Sequence, residues 1–173
     1  MRSRKILLFA ILLVSGQLLF GQQTKNPWEK WNYLIGEWVG ENNGQPGVGE
    51  GKFSFQMDLD GRILVRKSST KYPATTSSSE FIHDDLMIIY PNGGDKPQEA
   101  IYFDNEGHTI KYKVSFTDKA VVLTSDIIPD APRFRFTYTE IDAKTVNASF
   151  EMASPQASED FKMYVEGRAF KVK

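Results

Sequence analysis

Residues 27–40 read PWEKWNYLIGEWVG, and they hold all three tryptophans of the chain, Trp28, Trp31 and Trp38. Pro27 sits where a helix has its first turn, with Asn26 before it as an N-cap. Trp28, Trp31 and Ile35 follow at spacings of three and four, which places them on one helical face. Gly36 ends that run. The few residues left before the glycine-rich loop 41–51, ENNGQPGVGEG, have room only for a short strand. A helical turn therefore feeds a first strand carrying Trp38, and the pattern downstream decides what that strand joins.

Downstream the period is two. Residues 52–59 set Phe53, Phe55 and Met57 against Ser54, Gln56 and Asp58, and Asp60-Gly61 marks a hairpin into 62–69, where Ile63 and Val65 face one way. A Ser/Thr-rich loop, 71–79, leads to a strand at 81–90 that is apolar on both sides around 86–89. Asn92-Gly93-Gly94 turns the chain into a short strand at 100–103, and Asp104-Asn105-Glu106-Gly107 turns it again. Residues 109–116 alternate Ile110, Tyr112, Val114 and Phe116 with Lys111, Lys113 and Ser115. Strands follow at 120–125, at 133–140 (Phe134, Phe136 and Tyr138 opposite Arg133, Arg135 and Thr137), at 145–152 (Val146, Ala148, Phe150 and Met152) and at 161–173. About ten half-buried strands with short connections predict an antiparallel meander, either a two-sheet sandwich or a closed barrel.

The chain has 173 residues, which suits one domain, and 40% apolar with 13% aromatic residues is ample for a core. A formal net charge of −1 offers no basic field for nucleic acid. Cysteine is absent, which removes disulfides, thiolate metal sites and thiol nucleophiles. Arg2, Arg4 and Lys5 precede an apolar run at 6–14 that resumes at 18–20, and Gly21 is small enough to precede a cleavage site. This is the pattern of a secretory signal peptide, and the run is too short and broken to span a bilayer. The expected organisation is a signal peptide at 1–21, a polar leader and short helical turn at 22–32, and a β-barrel at 33–173. The expected location is periplasmic or secreted, with no membrane span after cleavage.

The run W-x-x-L-I-G-E-W-V-G, its glycine-rich loop and the D-G-R-I-L-V-R strand resemble the calycins: lipocalins, fatty-acid-binding proteins and nitrobindin-like haem barrels. The similarity covers about residues 28–173 and is greatest to an uncharacterised bacterial domain-of-unknown-function family of that superfamily. It implies an up-and-down barrel with Trp38 plugging one end and an arginine of the last strand, Arg168, across its ring. Alternation from Phe161 puts Arg168 on the outer face, so a bulge at Gly167 would have to turn it inward.

The interior residues expected to meet a ligand are Phe53, Phe55, Tyr112, Phe134, Phe136, Tyr138 and Phe150. Their strands turn aromatics inward rather than Arg133 and Arg135, because an unpaired buried arginine is costly. Arg62 and Arg66 pose the same question on another strand. The two histidines, His83 and His108, read as surface or hydrogen-bonded groups rather than metal ligands. No cofactor is expected, and haem is disfavoured because the axial histidine of the nitrobindin-like barrels falls near the C-terminus, where this chain has none. Asp84 and Asp85 point to opposite faces of a strand, and Asp104 and Glu106 read as turn chemistry. The Ser/Thr loop and the turn at 91–97 are expected to form the mouth. The leading expectation is an exported carrier of an apolar or amphipathic small molecule, with no assigned catalytic residue. The alternatives are an enzyme on the same barrel, using His83 or His108 with a carboxylate, and a cell-envelope interaction module with a filled core.

Overall fold

The computed structural model describes residues 26–41, 50–76, 78–94 and 96–173. The signal-peptide reading and most of the glycine-rich loop lie outside them. A 3₁₀ turn at Glu29–Trp31 leads into ten strands: β1 (Gly36–Gly40), β2 (Glu50–Asp58), β3 (Ile63–Tyr72), β4 (Phe81–Pro91), β5 (Pro97–Asp104), β6 (Thr109–Phe116), β7 (Ala120–Ser125), β8 (Arg133–Asp142), β9 (Thr145–Ala153) and β10 (Lys162–Lys171). Each pairs antiparallel with its sequence neighbours, and β1 pairs with β10 to close the barrel. No helix of the described residues is long and apolar enough to cross a membrane.

The Trp-rich segment closes one end. Trp31, Leu34 and Trp38 are fully buried, each contributing about 1.5–3 kcal/mol by burial. Trp28 donates its indole N–H to Gly61 O at 2.9 Å, Trp38 donates to Leu34 O at 2.8 Å, and Tyr33 donates its hydroxyl to Tyr138 O at 2.7 Å. The seam is tight at Gly36: its φ is +133°, and a Cβ there would lie 2.3 Å from Lys173 O. Only glycine suits both constraints.

Strand alternation fixes which end each loop occupies. The turn at 91–97 shares the Trp end with 59–62 and 117–119, so it is not part of the mouth as the sequence suggested. The Ser/Thr loop, the 105–108 turn and the 126–132 loop lie at the opposite, open end.

The expected partner of Trp38 is corrected. Arg168 pairs with Asn147, faces outward and is exposed. The register shift in β10 falls at Tyr164, between Met163 and Val165, rather than at Gly167. Three strand positions further on, and so on the opposite face, Lys171 pairs with Trp38, sets its Nζ 4.9 Å from the indole centroid and donates to Tyr33 O at 3.0 Å. Lys171→Met is expected to lower stability by about 1 kcal/mol, and Arg168→Ala to change it by less than about 0.5 kcal/mol. Urea unfolding of the two variants checks this, and a larger loss for Arg168→Ala would return the arginine to the ring.

On β8 the aromatics face inward and the arginines outward. Arg135 holds Glu151 of β9 by two hydrogen bonds, 2.7 and 2.6 Å, and its guanidinium lies 4.2 Å from the Phe161 ring centroid. These hydrogen bonds hold the Glu151 carboxyl below the usual carboxylate range. Because the folded value is depressed, the contribution is fully present above the unfolded pKa of about 4.3 and fades as pH falls through the folded value. Glu151→Gln is expected to flatten part of the acid-side loss of stability, measured by urea midpoints at descending pH.

Candidate functional site

The barrel interior has two unlike walls. On β2 and β8–β10, the rings form a continuous column from plug to mouth. Trp38 stacks on Phe53 at 6.0 Å, and Phe53 meets Tyr138 at 5.9 Å. Tyr138 stacks on Phe136 at 6.5 Å, and Phe136 meets Phe150 at 4.5 Å. Phe134 stacks on Phe150 at 5.7 Å, and the exposed Tyr164 stands edge-on to Phe150 at 6.0 Å. The bulge in β10 is what presents the Tyr164 ring to an inward-facing residue.

The facing wall, β3–β5, is polar toward the mouth. Inward positions run Leu64, Arg66, Ser68 and Thr70 on β3, then Ile89, Met87, Asp85 and His83 on β4, matched by register. On β5 they are Ala100, Tyr102 and Asp104. Arg66 and Asp85 form a buried ion pair. The guanidinium also lies 5.7–6.0 Å from the ring centroids of Phe53, Phe136 and Tyr138, so it bridges the two walls. Burial acts to lower its pKa, but Tyr138, Asp85 and Tyr102 outweigh that and hold it above the ordinary value. Burial pushes the Tyr138 phenol up to about 12 and raises Tyr102 and Tyr112 further. All three hydroxyls therefore keep their protons at neutral pH.

Two buried polar atoms in this region, Arg66 Nε and the Tyr112 hydroxyl, have no hydrogen-bond partner among the described residues. Both surround Phe136, which lies 5.9 Å from the Tyr112 ring. Trp31 Nε1, at the closed end, is a third such atom, and buried polar groups are paired in nearly all folded proteins.

Nearer the mouth lies a second group. His83 Nδ1 is 2.7 Å from Glu106 Oε1, and its Nε2 is 3.1 Å from the Tyr102 hydroxyl. Tyr102 donates to Asp104 Oδ2 at 3.2 Å, and the His108 ring lies 2.8 Å from that same oxygen. Asp104 Oδ1 accepts from the backbone N–H of Glu106 and His108 at 3.0 and 2.9 Å. Burial acts to raise the Asp104 pKa, but the bonds from His108 and Glu106 outweigh it and hold the carboxyl low. The turn reading of Asp104 is thus right and incomplete. The same turn folds its acids onto His83, and it supplies the histidine–carboxylate contacts that an enzyme on this barrel would need.

Burial falls off from the Trp end toward the opposite end. Phe55 and Tyr112 are fully buried, whereas Phe53, Phe134, Phe136 and Phe150 are half-buried. On β10 the inward-facing Val165 is 53% exposed, and a Cβ on inward-facing Gly167 would meet nothing within 4 Å. A shallow groove at the Trp end, lined by Glu29, Lys30, Tyr33, Asp118 and Lys119, carries no histidine or buried ion pair. Sequence reasoning placed the aromatic wall and missed the polar one. The signal was present as phase: Arg66, Ser68 and Thr70 share the parity of Leu64, and His83 and Asp85 that of Met87.

The chain matches no protein-family model and no curated protein. The calycin resemblance therefore rests on the closed ten-strand antiparallel barrel.

Breaking a buried ion pair on one side leaves an uncompensated charge. Asp85→Asn is expected to cost about 3–5 kcal/mol, whereas the double replacement Arg66→Met with Asp85→Leu should be near neutral or stabilising. Thermal and urea unfolding of both variants decides this, and equal losses would show that the pair itself stabilises the fold.

Proposed function

We propose that the protein is an exported small-molecule binding protein that takes an amphipathic ligand into the open end of the barrel. One observation carries the reading: an interior aromatic on one side and polar on the other, joined by a buried arginine with an unused donor. Arg66 Nε and the Tyr112 hydroxyl suit an oxygen acceptor such as a carboxylate or carbonyl. The column Phe136–Phe150–Tyr164 suits an apolar body leading out to solvent. Because Asp85 neutralises Arg66, the ligand's head needs acceptor oxygens more than net charge. Concave sites with apolar linings and a few convergent polar groups are the usual form of ligand pockets. The open β10 wall at Val165 and Gly167 supplies the room, and a signal peptide at 1–21 would carry the chain out of the cell.

Delipidated protein titrated with an environment-sensitive fatty-acid probe should show saturable binding. Gly167→Phe, which places a ring in the open mouth away from the buried core, should weaken it by at least about tenfold. The double variant at Arg66 and Asp85 should weaken probes with a carboxylate head more than their alcohol analogues. Absence of saturation, or binding indifferent to Gly167→Phe, would exclude the mouth as the site.

A further inference from the structure

We infer that His83, Asp104 and Glu106 form a binding site for a divalent transition-metal ion of the Zn²⁺ class at the rim of the barrel. One ligand atom from each lies within 4.8 Å of the others. Donors on a tetrahedral ion with bonds of about 2.0–2.2 Å stand roughly 3.3–3.6 Å apart, so the His83–Glu106 contact at 2.7 Å must open while the wider separations close. His83 comes from β4, whereas Asp104 and Glu106 come from the β5–β6 connection, so the site clamps the mouth turn to the wall.

The hydrogen bonds place both ring nitrogens of His83 against oxygen partners. Nε2 lies 3.1 Å from the Tyr102 hydroxyl, which is itself 3.2 Å from Asp104 Oδ2. Nδ1 lies 2.7 Å from Glu106 Oε1, a distance at which the two atoms share a proton that a metal ion would replace. The surroundings favour a doubly charged one. Asp85 is neutralised by Arg66, which leaves the charges of Asp104 and Glu106 to His83 and to the mostly exposed His108.

The supporting groups match what metal sites use. A ligating histidine is oriented through its other nitrogen. Here Nε2 is held by Tyr102 and stands 3.7 Å from Asp85 Oδ2. Asp104 is fixed by two backbone N–H donors on Oδ1, which turns Oδ2 toward the histidine rings. Glu106 is almost half exposed, so an ion can reach the site from solvent. Binding exchanges waters of the aqueous ion for His83 Nδ1 and two carboxylate oxygens. Any proton held between His83 and Glu106 leaves to solvent. The imidazole donor disfavours Ca²⁺ and Mg²⁺, which prefer all-oxygen sites.

The chain has two histidines, so ¹⁵N NMR of the imidazoles can follow each separately during titration of the full chain with Zn²⁺. The expected result is saturation at one ion per chain, with His83 Nδ1 changing from a hydrogen-bonded to a metal-bound resonance. His83→Gln should lower affinity by about 100-fold and Tyr102→Phe by about tenfold, with near-UV circular dichroism unchanged. Failure to saturate, ligation by His108 in place of His83, or undiminished affinity in Glu106→Gln would each overturn the site. The fatty-acid titration is independent of this result, because the probe meets Phe150 and Gly167 rather than Glu106.

Discussion

The whole fold depends on a seam five residues long. A meander of ten strands becomes a barrel only if its first strand pairs with its last, and β1 offers Gly36–Gly40 for that purpose. Backbone pairing over so short a strand is weak by itself. The seam is reinforced from inside by Trp38, whose indole is stacked on Phe53 of β2, lies under the Lys171 ammonium of β10 and donates to Leu34 O. It is reinforced at its end by Gly36, where only a hydrogen side chain lets the C-terminal backbone come close enough for Glu37 N–H to reach Lys173 O at 2.9 Å. A lysine performs what the family resemblance assigned to an arginine. The requirement is a cation over an indole face, and that depends on strand parity more than on which cation it is.

Closing one end with three tryptophans has a consequence at the other. The rings that plug the Trp end pass without interruption into the column Phe136–Phe150–Tyr164. Side chains are fully buried where Leu34 and Trp31 cap the barrel and exposed where β10 carries Val165 and Gly167. Against that column stands a wall of Arg66, Asp85, Tyr102 and His83. A buried ion pair stabilises little after desolvation, so this wall adds less to stability than the ring column facing it. Its two levels differ. Arg66 and Tyr112 lie deep among rings, whereas His83, Asp104 and Glu106 lie at the rim, held by a turn whose backbone N–H groups fix one carboxylate.

The alternation at 52–59, 109–116, 133–140 and 145–152 was legible because each strand had one apolar and one polar face, and the apolar face is the inner one. The same rule worked against β3 and β4. There the inward face carries Arg66, Ser68, Thr70, His83 and Asp85, and residues 86–89 are apolar on both sides, so hydrophobicity gave no phase. Asp84 and Asp85 do part to opposite faces, as adjacent strand residues must. What a strand pattern could not supply was the partner of Asp85, because Arg66 lies on the neighbouring strand and meets it through register. The mouth was misplaced at 91–97 for a related reason: which end a loop occupies follows from counting strands, and composition alone does not distinguish the ends.

By itself the sequence determined an all-β meander of about ten strands, a helical turn rich in tryptophan at its head, and an aromatic lining. These follow from period, turn residues and the cost of exposing rings, all of which are local. The tertiary structure alone decided that Lys171 and not Arg168 meets Trp38, that Arg66 is buried against Asp85, and that the acids of a turn stand against His83. Those pairings join residues that are distant along the chain, and a two-residue period is silent about register. A shift of one residue moves a side chain from the interior to solvent, so only the assembled barrel can say which charges meet inside it.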